Sequence, residues 1–121
     1  MLRKLLASEV KFTLTAEQDD LPVRGNAMVS GDAAADKEVE DEIIARLDKG
    51  DIWAWASVKV TAEWNGYKGV NHLGACTCDN EQDFIVGNSD YYSDMCDNAL
   101  DELNNELESA YNVLAQLIKK D

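Results

Sequence analysis

The side chains able to do covalent or metal chemistry are few: His72, the Cys76-Thr77-Cys78 triplet, and Cys96. Together they supply four kinds of position at which a soft metal such as zinc could bind. Zinc sites bring ligand pairs at C-x₂₋₄-C spacing, which lets both thiolates reach one ion. C-x-C breaks that spacing and no second pair follows, so the cysteines read as small buried hydrophobes, with no metal or cofactor expected. His72 is the single histidine, and hence the one side chain with an ordinary acid–base role at neutral pH. A nucleophilic Cys–His pair would need Cys76, Cys78 or Cys96 beside His72 and an orienting group behind it. No G-x-x-x-x-G-K-S, G-x-G-x-x-G or G-x-S-x-G motif occurs, so phosphate-loop, dinucleotide and nucleophile-elbow chemistry have no signature here. The expectation is a non-enzymatic chain with no catalytic residues; a small enzyme built on His72 and a cysteine ranks third among the readings.

Charge carries more information. The chain has 121 residues, with 24 acids against 11 bases and a net charge of −13. From Gly69 to Ile118 there is no lysine or arginine, while Asp79, Glu81, Asp83, Asp90, Asp94, Asp97, Asp101, Glu102, Glu106 and Glu108 all fall there. Nucleic acid and anionic membranes should repel such a chain, so a charged partner would be basic. At ~100° per residue, Asp90, Asp94, Asp97, Asp101 and Glu108 share one stripe of a helix, with Asn104, Asn105 and Asn112 among them. The stripe spans ~27 Å of axis, one charge per ~7 Å, against one per ~1.7 Å in duplex DNA. One helix alone is too sparse to imitate a duplex, and the acids of the first helix and of the 79–83 loop would narrow the gap. A solvated acidic face that only keeps the protein monodisperse is the plain alternative.

The elements that would position these groups centre on Asp51 to Thr77. Ile52, Ala54, Ala56, Val58, Val60, Ala62 and Trp64 alternate with Trp53, Trp55, Ser57, Lys59, Thr61 and Glu63, the period of a half-buried strand. Asn65-Gly66 then suits a two-residue turn with φ > 0 at both positions. That register pairs Trp64 with Tyr67 and Glu63 with Lys68 but sets Asn71 beside the apolar face; a bulge at Gly69 would correct this. Trp53 and Trp55 would share the face opposite the core. They read either as an aromatic anchor for a partner or as a pair covered by the N-terminal segment or the 17–31 loop, the covered reading being favoured because a bare pair would promote aggregation. With the acid stripe they complete the candidate partner-binding set.

Upstream, Glu9 to Ala16 alternates as a strand. The stretch from Glu17 holds the single proline and reads as a loop, with Val23 to Val29 as a short irregular edge strand at most. Asp32 can cap a helix from Ala33 to about Lys49, ended by Gly50, with Ala35, Val39, Ile43 and Leu47 as its core stripe and Glu42–Arg46 as an ion pair. Phe84-Ile85-Val86 should tuck a loop cluster under the core. A second helix from about Asp90 to Lys119, ~45 Å long, carries Tyr92, Cys96, Leu100, Leu103, Leu107, Ala110, Leu114 and Ile118 on one face. It outruns the hairpin, so it should kink, fray or meet another copy. The expectation is one α+β domain over residues 1–121: a small antiparallel sheet built on a long hairpin, with two helices packed on one face, in the order β-α-β-β-α. An odd cysteine count, no signal peptide and no apolar run of ~20 residues place the protein in a reducing cytoplasm.

Three motifs, Asp19-Asp20-Leu21-Pro22-Val23-Arg24-Gly25-Asn26, Trp53-Ala54-Trp55-Ala56-Ser57-Val58, and Asp83-Phe84 with Tyr91-Tyr92-Ser93-Asp94-Met95, carry a resemblance. Over about residues 10 to 110 the chain resembles a group of small acidic hypothetical proteins of phage and prophage genomes. No family activity comes with that resemblance, so no residue inherits a role. It implies a context: small acidic phage proteins without catalytic motifs are similar in charge and size to inhibitors of host defence, the anti-CRISPR proteins, some of which act as DNA mimics. The expected partner is therefore a basic nucleic-acid-handling host protein such as a CRISPR effector, met in the host cytoplasm, with no direct nucleic-acid or membrane contact and a homodimer as a further possibility. The runner-up is a phage accessory or assembly protein acting through homo-oligomerisation of the long helix and sheet.

Overall fold

Asn65 and Gly66 take φ of 52° and 88° in the computed structural model, the left-handed pair that a two-residue hairpin turn requires. The structure describes residues 2–27, 30–87 and 89–118. The turn joins β2 (Ala56–Trp64) to β3 (Tyr67–Cys76). With β1 (Lys11–Gln18) they form one three-stranded antiparallel sheet in the order β1-β2-β3. Helices α1 (Ala33–Asp48) and α2 (Ser89–Ile118) complete the order β-α-β-β-α, an α+β fold. Contacts gather into two compact units, one from residues 1–14, 59–71 and 90–121, the other from 15–58 and 72–89.

In the first unit the buried side chains are Leu5, Val60, Ala62, Met95, Ala99 and Leu103. Gly69 explains how α2 approaches β3. A Cβ at this glycine would collide with the carbonyl oxygen of Ala99 and the backbone nitrogen of Leu103, so helix and strand meet backbone to backbone. β3 runs through Gly69 without interruption, and the glycine there serves close packing against α2. Asn104 fastens the N-terminal segment to α2, its Oδ1 accepting from Leu5 N at 2.8 Å and its Nδ2 donating to Leu5 O at 3.3 Å. The strand expected from Glu9 begins at Lys11 instead, because Ala7–Glu9 forms a 3-10 turn. The Glu9 carboxylate is engaged there by Arg3 Nη2 at 2.7 Å and by Leu6 N at 2.9 Å. Those hydrogen bonds, Arg3's first, hold the Glu9 carboxyl at about 2.

The second unit turns on the end of α1. Gly50 N donates to Leu47 O at 2.9 Å and Asp51 N to Arg46 O at 3.0 Å, the paired bonds of a Schellman ending with Gly50 at φ 87°. At the other end Asp32 Oδ1 accepts from Ala34 N and Ala35 N, as its capping role requires. Beyond Gly50 the Asp51 side chain accepts from Trp53 N at 3.2 Å and caps a 3-10 turn, Ile52–Ala54. The strand alternation read from Ile52 therefore starts only at Ala56, where Ala56, Val58, Val60 and Ala62 are buried and Trp64 is exposed. Arg46 Nε pairs with Asp51 Oδ2 at 2.8 Å, and its Nη2 donates to Cys78 O at 2.6 Å; the expected Glu42–Arg46 pair is not among the ion pairs of the described residues.

The proline-containing loop is a turn over residues 23–27, with Val23 O accepting from Asn26 N and Ala27 N at 3.1 Å each. No edge strand forms over the described part of 23–29; Met28 and Val29 lie outside the described residues. Val23 is instead buried with Ile43, Ala54 and Trp55, and Val39, Ile44 and Leu47 pack against them. Of the expected Phe84-Ile85-Val86 cluster, on a π turn over Asp83–Gly87, Phe84 is buried, Ile85 half-buried and Val86 exposed.

Candidate partner-binding surface

Helix α2 starts with Asp90 in its first turn, where a carboxylate meets the positive end of the helix dipole. Its register brings Asp90, Asp94, Asp97 and Asp101 to the solvent side, all exposed, while Met95, Ala99 and Leu103 are buried. Glu108 differs. It is half-buried and lines a hollow of about 250 Å³ together with Leu2, Arg3, Lys4, Asn104, Asn105 and Leu107. The bases absent from 69–118 in the sequence thus reach one end of the stripe in space. None of the ion pairs of the described residues involves Asp90, Asp94, Asp97, Asp101 or Glu108.

The acids of α1 behave otherwise. Glu40 is buried: its Oε2 accepts from Gly25 N at 2.8 Å and its Oε1 pairs with Arg24 at 3.1 Å. Asp41 pairs with Arg24 at 2.6 Å and with Lys37 at 3.0 Å. Asp36 accepts from the hydroxyl of Ser30 at 2.6 Å. The Gly25 amide and then Arg24 hold the Glu40 carboxyl below its usual range, and Arg24 and then Lys37 do the same for Asp41. In the 79–83 loop, Asp83 Oδ2 accepts from Asp79 N at 3.0 Å. Glu38, Glu42 and Asp48 remain exposed on α1.

Trp53 and Trp55 do not stand on a bare sheet face. Trp55 is 3% exposed, and its indole Nε1 donates to Leu21 O at 2.7 Å. Trp53 is half-buried and stacks at 5.8 Å against Phe84. The 17–31 loop covers Trp55, as the favoured reading held, and the strand period broke because residues 52–54 turn. Asp19, which the sequence did not mark, latches that loop: Oδ1 accepts from Leu21 N and Oδ2 from Ala75 N, each at 2.8 Å.

His72 is exposed on β3. Burial first, then the nearby Cys78 and Asp19, pushes the Cys76 thiol up to about 11, and burial likewise raises Cys78 and Cys96. All three are thiols at neutral pH, the poorly nucleophilic form. Among the described residues no three of His, Cys, Asp and Glu gather in a way that could hold a metal ion, and no helix is long and apolar enough to cross a membrane. Comparison with protein-family models, curated proteins and solved structures gives no match to this chain.

Proposed function

We propose that the chain is a non-enzymatic, phage-encoded inhibitor that binds a basic, nucleic-acid-handling host defence protein, of the CRISPR-effector kind, through the acidic face of α2. The observation that carries this reading is the run Asp90, Asp94, Asp97 and Asp101, exposed on one helix face and outside every ion pair of the described residues. Uncompensated like charge on one face costs self-repulsion that folding does not require, and a basic cleft relieves it on binding. With Trp55 buried and Trp53 and Glu108 half-buried, the four aspartates are the exposed part of the candidate set. The stripe is sparser than the phosphates of a duplex, so it would meet a basic groove by charge complementarity rather than as a replica of DNA.

The test uses purified basic nucleic-acid-binding effectors, CRISPR effectors among them, and a labelled DNA probe. The wild-type chain should displace the probe from its target rather than bind alongside it. Changing Asp94, Asp97 and Asp101 to Asn and Glu108 to Gln should slow association by roughly tenfold at low salt. The deficit should shrink as salt rises, since exposed charges are screened within ~8 Å at physiological ionic strength. Wild-type displacement by that variant, with wild-type salt dependence, removes the stripe from the mechanism.

A further inference from the structure

The apolar face of α2 continues past the point where it is covered. Met95, Ala99 and Leu103 are buried, and at ~100° per residue Ala110, Leu114 and Leu117 carry on the same stripe. Yet Leu114 is exposed, and Leu117 and Ile118 are 74% and 77% exposed. The hairpin tip adds Trp64 and Tyr67, both exposed, and with Leu2, Leu5, Leu107 and Leu114 they line an open groove of about 360 Å³. From Ser109 to Ile118 the sequence has no charged residue, in a chain of net charge −13.

We propose that this face is a self-association surface, on which a second copy of the chain packs to give a two-fold symmetric dimer. Area supports it. At ~200 Å² per fully exposed large side chain, the exposed parts of Leu2, Trp64, Tyr67, Leu114, Leu117 and Ile118 reach roughly 600 Å², and Tyr111 and Val113 add to this. A standard interface uses ~800 Å² per partner. Shape and charge select a copy over another occupant. One face holds both the projecting Leu117 and Ile118 and the groove beside Trp64 and Tyr67, so each copy offers what the other needs, the self-complementarity of an isologous contact. The aspartates of the acid stripe lie on the opposite side of the helix, so pairing brings no carboxylate row against another. Among the described residues this face carries no cation beyond Arg3, which is already bound to Glu9, and the net charge of the chain opposes an anionic bilayer. The dimer surface meets the acid stripe only near Glu108, whose hollow shares Leu2, Arg3 and Leu107 with the groove; Asp90, Asp94, Asp97 and Asp101 lie clear of it, so the aspartates and the dimer can fail independently.

Sedimentation equilibrium of the full chain tests this. The wild type should be dimeric at micromolar concentration, and added salt should preserve or tighten the dimer by screening its net charge, the opposite of the salt response expected for a basic partner. Leu117→Glu should raise the dimer dissociation constant by ~30-fold or more with an unchanged circular dichroism spectrum, because Leu117 is exposed in the single chain. If that variant loses helicity, Leu117→Gln, a good helix former, is read in its place. A wild type that stays monomeric through the micromolar range overturns the proposal, as does binding to anionic vesicles without dimerisation. So does a folded Leu117 variant that dimerises like the wild type.

Discussion

The two helices look alike in the sequence, each rich in acids with an apolar stripe, yet their acids do opposite things. On α1 the carboxylates that find a partner are structural, while Glu38, Glu42 and Asp48 stay exposed. Asp32 caps the helix, Glu40 accepts from the Gly25 amide, and Glu40 and Asp41 grip Arg24. These bonds draw the proline loop onto the helix and bring Val23 over Ile43 and Trp55. On α2 the exposed aspartates enter none of the ion pairs of the described residues, and the helix is anchored by the Gly69 contact, its buried stripe and the Asn104 clip. Acid content thus says little about role; the presence of a basic or amide partner decides it.

The comparison breaks most visibly at Gly69. Gly69→Ala forces a methyl into the backbone of α2 and should cost about 2 kcal/mol or more in denaturant unfolding. An unchanged midpoint would mean that α2 is not held by that contact. Next in size is the α1 clasp. Glu40→Ala leaves Gly25 N without its acceptor and Arg24 short of a partner, and should lower the melting temperature by several degrees; Glu40→Gln, which can still accept from Gly25, should lower it less. The same clasp sets a pH response. The Glu40 and Asp41 carboxyls sit below their usual range when folded. Their stabilisation is therefore complete above the unfolded values near ~4 and is lost as pH falls through the lower folded values. A wild-type melting temperature that declines less on acidification than that of Glu40→Gln would contradict this sign. The smallest effect belongs to α2: neutralising the exposed Asp94, Asp97 and Asp101 together should leave the melting temperature unchanged or slightly raised, because like-charge repulsion falls. A clear loss of stability there would give the stripe a structural role and erase the contrast.

Much of the architecture was legible because it rests on local signals. Asn65-Gly66 fixed its turn, Asp32 and Gly50 marked both ends of α1, and the helical period carried α2 to Ile118, although its buried line is Met95, Ala99 and Leu103, with Leu114 and Ile118 of the expected face exposed. What escaped depends on distant partners. The alternation from Ile52 was real as a pattern, but the Asp51 cap and the Schellman ending turned the chain before Ala56, which no period reports. Glu40 lies beside the predicted apolar stripe, and only Arg24 and Gly25, sixteen and fifteen residues away, explain its burial. Asn104 was grouped with the polar face, although an amide at the edge of an apolar stripe hints at a backbone to clip. The stripe itself was legible down to the exposure of its aspartates, and the approach of Arg3 and Lys4 to Glu108 was not.

The interleaving of the two units along the chain bears on how the protein is made. Residues 15–58 and 72–89 complete the second unit with only the first residue of α2 synthesised, whereas the first unit draws on residues 1–14 and 59–71 and needs 90–121. At a synthesis rate of ~5–20 residues per second, the last thirty or so residues follow within seconds. Through that interval Val60, Ala62 and Gly69 have no helix to cover them. The long helix is thus the late-arriving lid of its own unit, and a nascent chain stalled before Ala99 would present the bare hairpin to chaperones and proteases.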